Sequence, residues 1–233
     1  HKKKMRQLII IGSGISGLAS AYYLKDKFKI KIFEKNDYLG GHTHTHYLND
    51  EKTYFDSGFI VFNNKNYPNF IKLLNTIKVE YQESNMSFSV TNKRINYEWA
   101  GKNLKTIFHY KNIFTIRYLK VLKDIFKFSK LCEKNTSLYN VSLKKFLNKY
   151  NFSKEFIDLY FLPMCASIWS SNLKNIMNYS TPFILNFFKN HGLNNIISKR
   201  PVWYTIKNGS KSYIKKIIKE VKPEIYLKEK VIE

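Results

Sequence analysis

The sequence is poor in the residues that build special scaffolds, with two cysteines, five prolines and nine glycines in 233 residues. Cys132 and Cys165 show no zinc-binding spacing, so neither a disulfide framework nor a structural zinc site is supported. The low proline and glycine content excludes collagen-like and low-complexity chains. Because 44% of the residues are hydrophobic, we expect a folded core. The few cysteines fit a reducing compartment, and we expect a cytoplasmic protein.

Acidic residues are also scarce, since 17 Asp and Glu face 40 Lys and Arg, for a formal net charge of +23. Nearly all of this excess is lysine, whereas proteins that read bases and phosphates favour the bidentate fork of arginine. The lysines are spread through every segment of a chain rich in Asn, Ile, Phe and Tyr. We therefore interpret the charge mainly as compositional drift and expect no nucleic-acid partner. Peripheral association with an acidic membrane or an acidic partner stays open.

The N-terminal region has basic residues at 2–6 followed by an uncharged stretch at 8–24, which is how a secretory signal begins. Three glycines within six positions weaken a simple hydrophobic helix, so we divide the stretch into two elements. Residues 7–11 predict a short buried strand, and residues 15–26 predict a helix with apolar residues at helical spacing. No other segment is long and apolar enough to cross a membrane.

The loop between these elements, Gly12-Ser-Gly14-Ile-Ser-Gly17, fits the pattern GxGxxG. In this setting Gly12 permits the tight turn, Gly14 lets a pyrophosphate approach the backbone, and Gly17 lets the helix pack closely on the strand. The helix N-terminus offers N–H groups and a positive dipole end to phosphates. Strand, loop and helix together predict a dinucleotide-binding site.

An acid follows the second predicted strand, residues 29–33. Glu34 lies 22 positions after Gly12, where a carboxylate accepts hydrogen bonds from the ribose hydroxyls of an adenosine. It would repel a 2′-phosphate, so NADP is not expected. The alternative is that Glu34 is a solvated loop acid and that the glycines only form a turn.

Three histidines alternate just beyond this region, at His42, His44 and His46. On a strand they would share one face, because side chains repeat every two residues, and three imidazoles on one face could bind a metal. The alternative is a Thr- and His-rich strand in which His42 lies near the phosphates. We favour the second interpretation and expect no metal.

The remaining patterns predict hairpins and then a mainly helical region. We expect N-caps at Ser142, Ser153 and Thr181 and a helix stop at Gly192. The predicted hairpins cover residues 44–56 and 86–99, the predicted helices cover 67–74, 104–109, 113–131, 143–150, 154–169, 182–190 and 211–220, and the predicted late strands cover 202–206, 225–227 and Val231.

The segment Glu34-Lys-Asn-Asp-Tyr-Leu-Gly-Gly41 resembles the extended dinucleotide-binding motif of FAD enzymes in the amine oxidase superfamily. The chain resembles the bacterial flavin-containing amine oxidase-like proteins, whose relatives include phytoene desaturases and protoporphyrinogen oxidases. The later segments that carry this resemblance are Asp56-Ser-Gly-Phe-Ile-Val61, Asn85-Met-Ser-Phe-Ser89, Leu162-Pro-Met-Cys-Ala-Ser-Ile-Trp169 and Phe188-Lys-Asn-His-Gly192.

The resemblance implies an α/β fold, with a Rossmann-like FAD-binding domain and an inserted, mainly helical substrate domain. It divides the chain into residues 1–62, 63–200 and 201–233, the last returning to an incomplete FAD-binding domain. Such proteins are usually much longer, so we expect the chain to be a fragment truncated at its C-terminus. The cofactor-binding residues that it implies are Gly12, Ser13, Gly14, Ile15, Ser16, Gly17, Glu34, Lys35, Gly40, Gly41, His42 and Val231.

The expected function is that of an FAD-dependent oxidoreductase, with FAD favoured over NAD. A hydride would pass from an organic substrate, apolar or amine-bearing, to flavin N5. The sequence indicates no catalytic acid or base. The competing interpretation is a dinucleotide-binding module without catalysis, or an inactive fragment.

Overall fold

The computed structural model describes residues 5–48, 53–101, 115–134, 139–169, 171–194 and 201–232. In chain order its strands are β1 (Arg6–Ile11), β2 (Phe28–Glu34), β3 (Thr45–Tyr47), β4 (Tyr54–Asp56), β5 (Phe62–Asn63), β6 (Tyr81–Glu83), β7 (Ser89–Asn92), β8 (Tyr97–Ala100), β9 (Trp203–Ile206) and β10 (Glu224–Leu227). Its α-helices are α1 (Ile15–Leu24), α2 (Pro68–Thr76), α3 (Ile116–Glu133), α4 (Leu143–Lys149), α5 (Lys154–Phe156), α6 (Leu162–Trp169), α7 (Leu173–Ile176), α8 (Thr181–Asn190) and α9 (Lys211–Val221).

The chain forms two compact units, His1–Asn85 with Val202–Glu233, and Met86–Pro201. From the sequence we expect instead divisions after residues 62 and 200. Residues 63–85 belong with the first unit because β5 and β6 both pair with β9, which lies far along the chain. The two hydrogen-bonded strands flank β9 in an antiparallel sheet of order β5-β9-β6.

The first unit contains a parallel sheet of order β1-β2-β10, with β2 in the centre. Ile30 and Ile32 of β2 are buried in one core with Leu18 of α1 and Ile217 of α9. Side chains alternate across a strand, so these residues define the covered face of the sheet. The predicted strand-loop-helix-strand order is confirmed here.

The prediction that β1 is a buried strand is wrong for one of its faces. Ile9 and Ile11 are 57% and 68% exposed, respectively. The helices of the unit's core cover the opposite face, and among the described strands β1 pairs only with β2. On the open face, the ring of Phe33 stacks on Tyr226 with centroids 4.6 Å apart.

Strands β3 and β4 form the predicted antiparallel hairpin, whose turn lies outside the described residues. The hairpin holds the start of α9 through Asp56, whose Oδ2 accepts hydrogen bonds from Ser210 N and Ser210 Oγ, both at 2.9 Å. Thr45 Oγ1 donates to Asp56 Oδ1 at 2.5 Å and accepts from Lys211 N at 2.9 Å. The Asp56 carboxylate thus accepts the N–H of Ser210, just before α9, and the Thr45 hydroxyl accepts the N–H of its first residue. Negative charge is favoured at this end of a helix.

The second unit is a helical bundle with a mainly aromatic core, preceded by the hairpin of β7 and β8. Phe128, Phe156, Phe161 and Phe188 are nearly or fully buried, and their ring centroids lie 5.1–6.0 Å apart in stacked, tilted or edge-to-face pairs. Such pairs add to the stabilisation that apolar burial provides. This unit confirms the predicted mainly helical region.

Helix prediction over 154–169 is right in extent but misses a π-helical turn, Ile157–Phe161. Pro163 lacks the N–H that would bond to the carbonyl of Leu159 four residues earlier in an α-helix. The indole Nε1 of Trp99 donates to that carbonyl at 2.9 Å instead. The carbonyl of Leu159 therefore has a hydrogen-bond partner even though the α-helical bond is missing at this proline.

Two of the three predicted N-caps are confirmed. Ser142 Oγ accepts from Lys145 N, and Ser153 Oγ accepts from Phe156 N. The prediction of Thr181 as a cap is wrong, because Thr181 is the first residue of α8 and its Oγ1 donates to the Val141 carbonyl. Gly192 follows α8 with φ of +64°, as a helix stop requires.

The other sequence predictions concern one helix, one strand, the cysteines and membrane crossing. The helix predicted over 104–109 lies outside the described residues, and no strand forms at Val231. Cys132 and Cys165 are buried free thiols, and burial raises both of their pKa values, so neither is a reactive cysteine. Among the helices of the described ranges, none combines the length and apolarity that crossing a membrane requires.

Candidate dinucleotide site

The turn from β1 into α1 is built on glycine at two positions. Gly12 has φ of +91°, a conformation that favours glycine, and its N–H donates to the Phe33 carbonyl at 2.8 Å. A Cβ at Gly17 would lie 2.1 Å from the Gly12 carbonyl oxygen and 3.1 Å from Ile10 Cγ2. The helix therefore packs on the loop at a distance that only glycine allows, as the motif predicts.

The outer side of this loop is open. A Cβ built on Gly14 would meet no described atom within 4 Å. Gly14 precedes α1, and no described side chain caps the N-terminus of that helix or places a carboxylate in its first turn. The helix thus directs N–H groups and the positive end of its dipole at a space beside the backbone.

A second pair of glycines packs against the loop. The Gly40 N–H donates to the Ser13 carbonyl at 3.2 Å. A Cβ at Gly41 would lie 2.9 Å from Gly14 Cα, and its φ of +60° also favours glycine. The double glycine that carries the sequence resemblance is therefore in direct contact with the first loop.

Glu34 lies beneath the loop and is only 4% exposed. Its Oε2 accepts hydrogen bonds from Ser13 N at 2.8 Å and Ser13 Oγ at 2.6 Å, and its Oε1 accepts from Asn36 N at 3.0 Å. The alternative of a solvated loop acid is therefore wrong. Burial by itself raises the pKa of Glu34, but these hydrogen bonds and the charge of Lys35 outweigh it and lower the pKa. The carboxylate is ionised at neutral pH.

The chain returns to this acid after β10. Lys228 N donates to the Asn36 carbonyl and Glu229 N donates to the Glu34 carbonyl, both at 3.0 Å. Val231 lies two residues further on and is 48% exposed. The structure thus brings the end of the described chain to the same turn that holds Glu34.

The other predicted cofactor-binding residues lie around the loop with different exposure. Ile15 and Ser16 form the exposed first turn of α1, and Lys35 is an exposed neighbour of Glu34. The side chain of His42 is exposed, while its carbonyl accepts from Phe59 N at 3.2 Å. Contact of these residues with a cofactor stays a prediction.

Two histidines of the alternating triplet, His44 and His46, stack on each other. They belong to a row of rings, Tyr38, His44, His46 and Phe55, with neighbouring centroids 4.1–5.0 Å apart. The Tyr38–His44 pair is tilted, and the other two pairs are stacked. His46 Nε2 lies 2.8 Å from Ser57 Oγ. Within the described ranges, no three His, Cys, Asp or Glu side chains are arranged to hold a metal ion.

Sequence reasoning missed the groups that hold the acid. Asn36 and Glu229 act through backbone N–H groups, which no side-chain pattern reveals. Ser13 stays a predicted cofactor-binding residue, and its hydroxyl is fully buried and contacts Glu34. A serine in the loop together with an acid at the end of the next strand is the one available signal.

Comparison with known protein families places the first part of this site in a known class. Residues 10–77 match the family of NAD(P)-binding Rossmann-like domains. The match spans the glycine loop, Glu34 and the double glycine, and it ends within the first unit.

Two curated relatives illustrate a local and an extended likeness. The chain is 58% identical over 41 residues to 1-hydroxycarotenoid 3,4-desaturase from Flavobacterium sp. (strain P99-3), which is 17% of this chain and 8% of the relative. It is 27% identical over 237 residues to prenylcysteine oxidase 1 from Bos taurus, covering 88% of this chain and 43% of the relative.

Solved structures show the same fold. Cyclohexylamine oxidase from Brevibacterium oxydans IH-35A matches with a TM-score of 0.68 and 17% identity, over 97% of this chain and 51% of that chain. Putrescine oxidase bound to putrescine matches with a TM-score of 0.65 and 15% identity, over 97% and 51%. The chain thus spans about half the length of the solved structures that it matches.

These likenesses support a resemblance of the chain to the amine oxidase and desaturase superfamily. The predicted resemblance to this superfamily is confirmed, and so is the predicted fold class, an α/β arrangement with a Rossmann-like dinucleotide-binding domain.

Proposed function

We propose that the first unit binds the ADP half of FAD and that the protein is a flavin-dependent oxidoreductase. One observation carries the proposal: a buried, ionised carboxylate is hydrogen-bonded to the glycine loop that begins an uncapped helix. Diphosphates favour helix N-termini, and ribose hydroxyls favour a carboxylate acceptor. The fold of the amine oxidases and the desaturase relative agree with this assignment.

The geometry of the described residues fits a dinucleotide. The open side of Gly14 leaves room for phosphate oxygens to reach the backbone, and the N–H groups of the first turn of α1 would donate to them. An ionised carboxylate has about four acceptor positions. Three on Glu34 are used by Ser13 and Asn36, which leaves acceptor capacity for a ribose hydroxyl.

FAD, when bound, would supply the redox chemistry by accepting a hydride from the substrate. The contribution of the first unit is to bind and orient the nucleotide half. The closely packed glycines fix the loop, and the buried acid selects a ribose that carries no phosphate.

We propose an apolar or amine-bearing organic substrate for the whole protein. The second unit offers a partly exposed aromatic group for such a substrate, in which the ring of Trp169 lies within 4.8–6.1 Å of Tyr179, Phe183 and Phe187. Phe183 is 50% exposed. Cyclohexylamine oxidase and 1-hydroxycarotenoid 3,4-desaturase, by their names, act on cyclohexylamine and on a 1-hydroxycarotenoid.

Calorimetric titration with ADP, FAD and 2′-phospho-ADP-ribose tests the nucleotide site. ADP and FAD should bind saturably, whereas the 2′-phosphate should abolish binding because it would face the carboxylate of Glu34. The proposal fails if ADP shows no saturable binding or if the 2′-phosphate is tolerated.

Anaerobic reduction of bound flavin separates an enzyme from a dinucleotide-binding module without catalysis. Amines and polyenes should bleach the flavin absorbance of the FAD-loaded protein. Saturable FAD binding that no such substrate ever bleaches would favour the module.

A further inference from the structure

Ser13 joins three segments of the candidate site through one hydroxyl. Its side chain is fully buried. Its Oγ lies 2.6 Å from Glu34 Oε2 and 3.2 Å from Gly40 N. The glycine loop, the acid after β2 and the double glycine therefore meet at a single oxygen atom.

The direction of these hydrogen bonds follows from the donor inventory. A serine hydroxyl has one proton to donate, and the Gly40 N–H can only donate. The Ser13 proton must therefore point at Glu34 Oε2, while Oγ accepts from Gly40. A neutral donor aimed at a buried carboxylate makes one of the stronger hydrogen bonds in proteins.

This bond completes the fixation of the carboxylate. Asn36 N holds Oε1 from one side, and Ser13 supplies both its N–H and its hydroxyl to Oε2. Because both oxygens are held, the plane of the carboxylate cannot rotate. The acceptor position that remains on Oε1 therefore points in one fixed direction. Without the hydroxyl, Oε2 would keep only the Ser13 N–H, and Gly40 N would keep only the Ser13 carbonyl.

We propose that the Ser13 hydroxyl is a positioning residue, which orients Glu34 toward the ribose and does not itself touch the nucleotide. The inference rests on the proposed function, because it assigns the acceptor role to Glu34. It differs from the sequence-based expectation that Ser13 binds the cofactor directly. A buried side chain whose one proton is already donated to Glu34 has none left for a ligand.

The test compares ADP with 2′,3′-dideoxy-ADP, which has the same diphosphate and lacks both ribose hydroxyls. The native protein should bind ADP about tenfold or more tightly than the dideoxy compound. Ser13→Ala should lose most of this preference by weakening ADP binding alone. The affinity for 2′,3′-dideoxy-ADP should stay unchanged, because the phosphate site is intact.

Ser210→Ala is a matched control. Ser210 is another fully buried serine of the first unit, and its hydroxyl also donates to a carboxylate, that of Asp56. A merely structural loss should appear equally in both variants, as a lower melting temperature. Only Ser13→Ala should change the ratio of the two affinities.

Two further variants keep the inference falsifiable if Ser13→Ala folds poorly. Ser13→Cys nearly preserves shape and removes the strong donor, so it should also lose the preference for ADP. In a Glu34→Gln background, Ser13→Ala should have no additional effect on that preference, since both act through one acceptor.

The outcomes separate the two proposals. If the native protein binds neither nucleotide, the proposed function fails and this inference with it. If the native protein prefers ADP and both Ser13 variants keep that preference, only the inference is overturned. A loss of affinity for both nucleotides alike in the Ser13 variants also overturns it, because the hydroxyl would then serve the loop as a whole.

Discussion

The two longest helices of the first unit begin in opposite ways. At α9 the carboxylate of Asp56 and the hydroxyl of Thr45 satisfy the first N–H groups. At α1 no described side chain does so, and the carboxylate of Glu34 bonds to the loop before the helix. The positive end of the helix dipole is thus satisfied within the protein at α9, and at α1 it is the site at which we propose that a ligand binds. A helix N-terminus indicates a binding site only where the protein does not fill it.

The largest effect should come from the glycines that shape the α1 terminus. Gly17→Val would place atoms on the Gly12 carbonyl and should lower the free energy of unfolding by about 1–3 kcal/mol or more and abolish ADP binding. Gly14→Ala meets no described atom within 4 Å, so it should leave stability unchanged but still weaken ADP binding. Denaturant unfolding and calorimetry check both variants. Equal ADP affinity in Gly14→Ala and the native protein would show that the open space is not the phosphate site.

Removing the carboxylate that holds the start of α9 should lower stability and leave nucleotide preference unchanged. Asp56→Ala leaves the partners Thr45 and Ser210 without their acceptor and should lower the free energy of unfolding by about 1–3 kcal/mol. The preference for ADP over 2′,3′-dideoxy-ADP should persist in the folded variant. Loss of that preference would contradict the division of roles between the two termini.

Acid should weaken the α1 site through Glu34. Its pKa in the folded protein is below the ordinary value of 4.5, because hydrogen bonds from Ser13 and Asn36 outweigh the cost of burial. Between the two values the unfolded chain binds more protons, so this contribution to stability is present above about pH 4.5 and is lost as the pH falls through the folded pKa. The free energy of unfolding, measured from pH 7 to pH 3, should decline less in Glu34→Gln. Parallel declines would show that Glu34 has no such role.

The smallest effect is expected at the far ends of the two helices. Lys25 Nζ and Glu220 Oε2 form an ion pair at 3.0 Å, with side chains 24% and 37% exposed. Lys25→Met should change the free energy of unfolding by no more than about 0.5 kcal/mol, since exposed pairs contribute little. A larger loss of unfolding free energy, measured with denaturant, would mean that this contact between the helices contributes more to the stability of the first unit than we expect.

The part of the site that sequence could predict is local. The turn at Gly12, the close approach at Gly17 and the acid after β2 all follow from spacing within one strand-helix-strand unit. The contacts that sequence reasoning missed join distant segments. Leu159 receives its partner from Trp99, 60 positions away, and residues 63–85 join the first unit only because β9 lies between their strands. No local pattern contains either fact.

Membrane association and cytoplasmic location stay predictions that composition alone suggests.

The aromatic core of the second unit explains why its helices were predictable by periodicity. Residues such as Phe128, Phe156 and Phe188 repeat on the inner faces of α3, α5 and α8. The π-helical turn has no such signal, because a proline in a helix indicates a kink without saying which donor replaces its missing N–H.

The open face of β1 has a practical consequence for handling the protein. Ile9 and Ile11 expose apolar surface on β1. The outer edge of this strand has no hydrogen-bonded neighbour among the described residues. Such a strand is a template for intermolecular pairing. Lys29 and Lys31 of the neighbouring strand β2 lie in register with Gln7 and Ile9 and add positive charge beside it. High salt, which screens like-charge repulsion between molecules, should therefore promote aggregation of the purified chain.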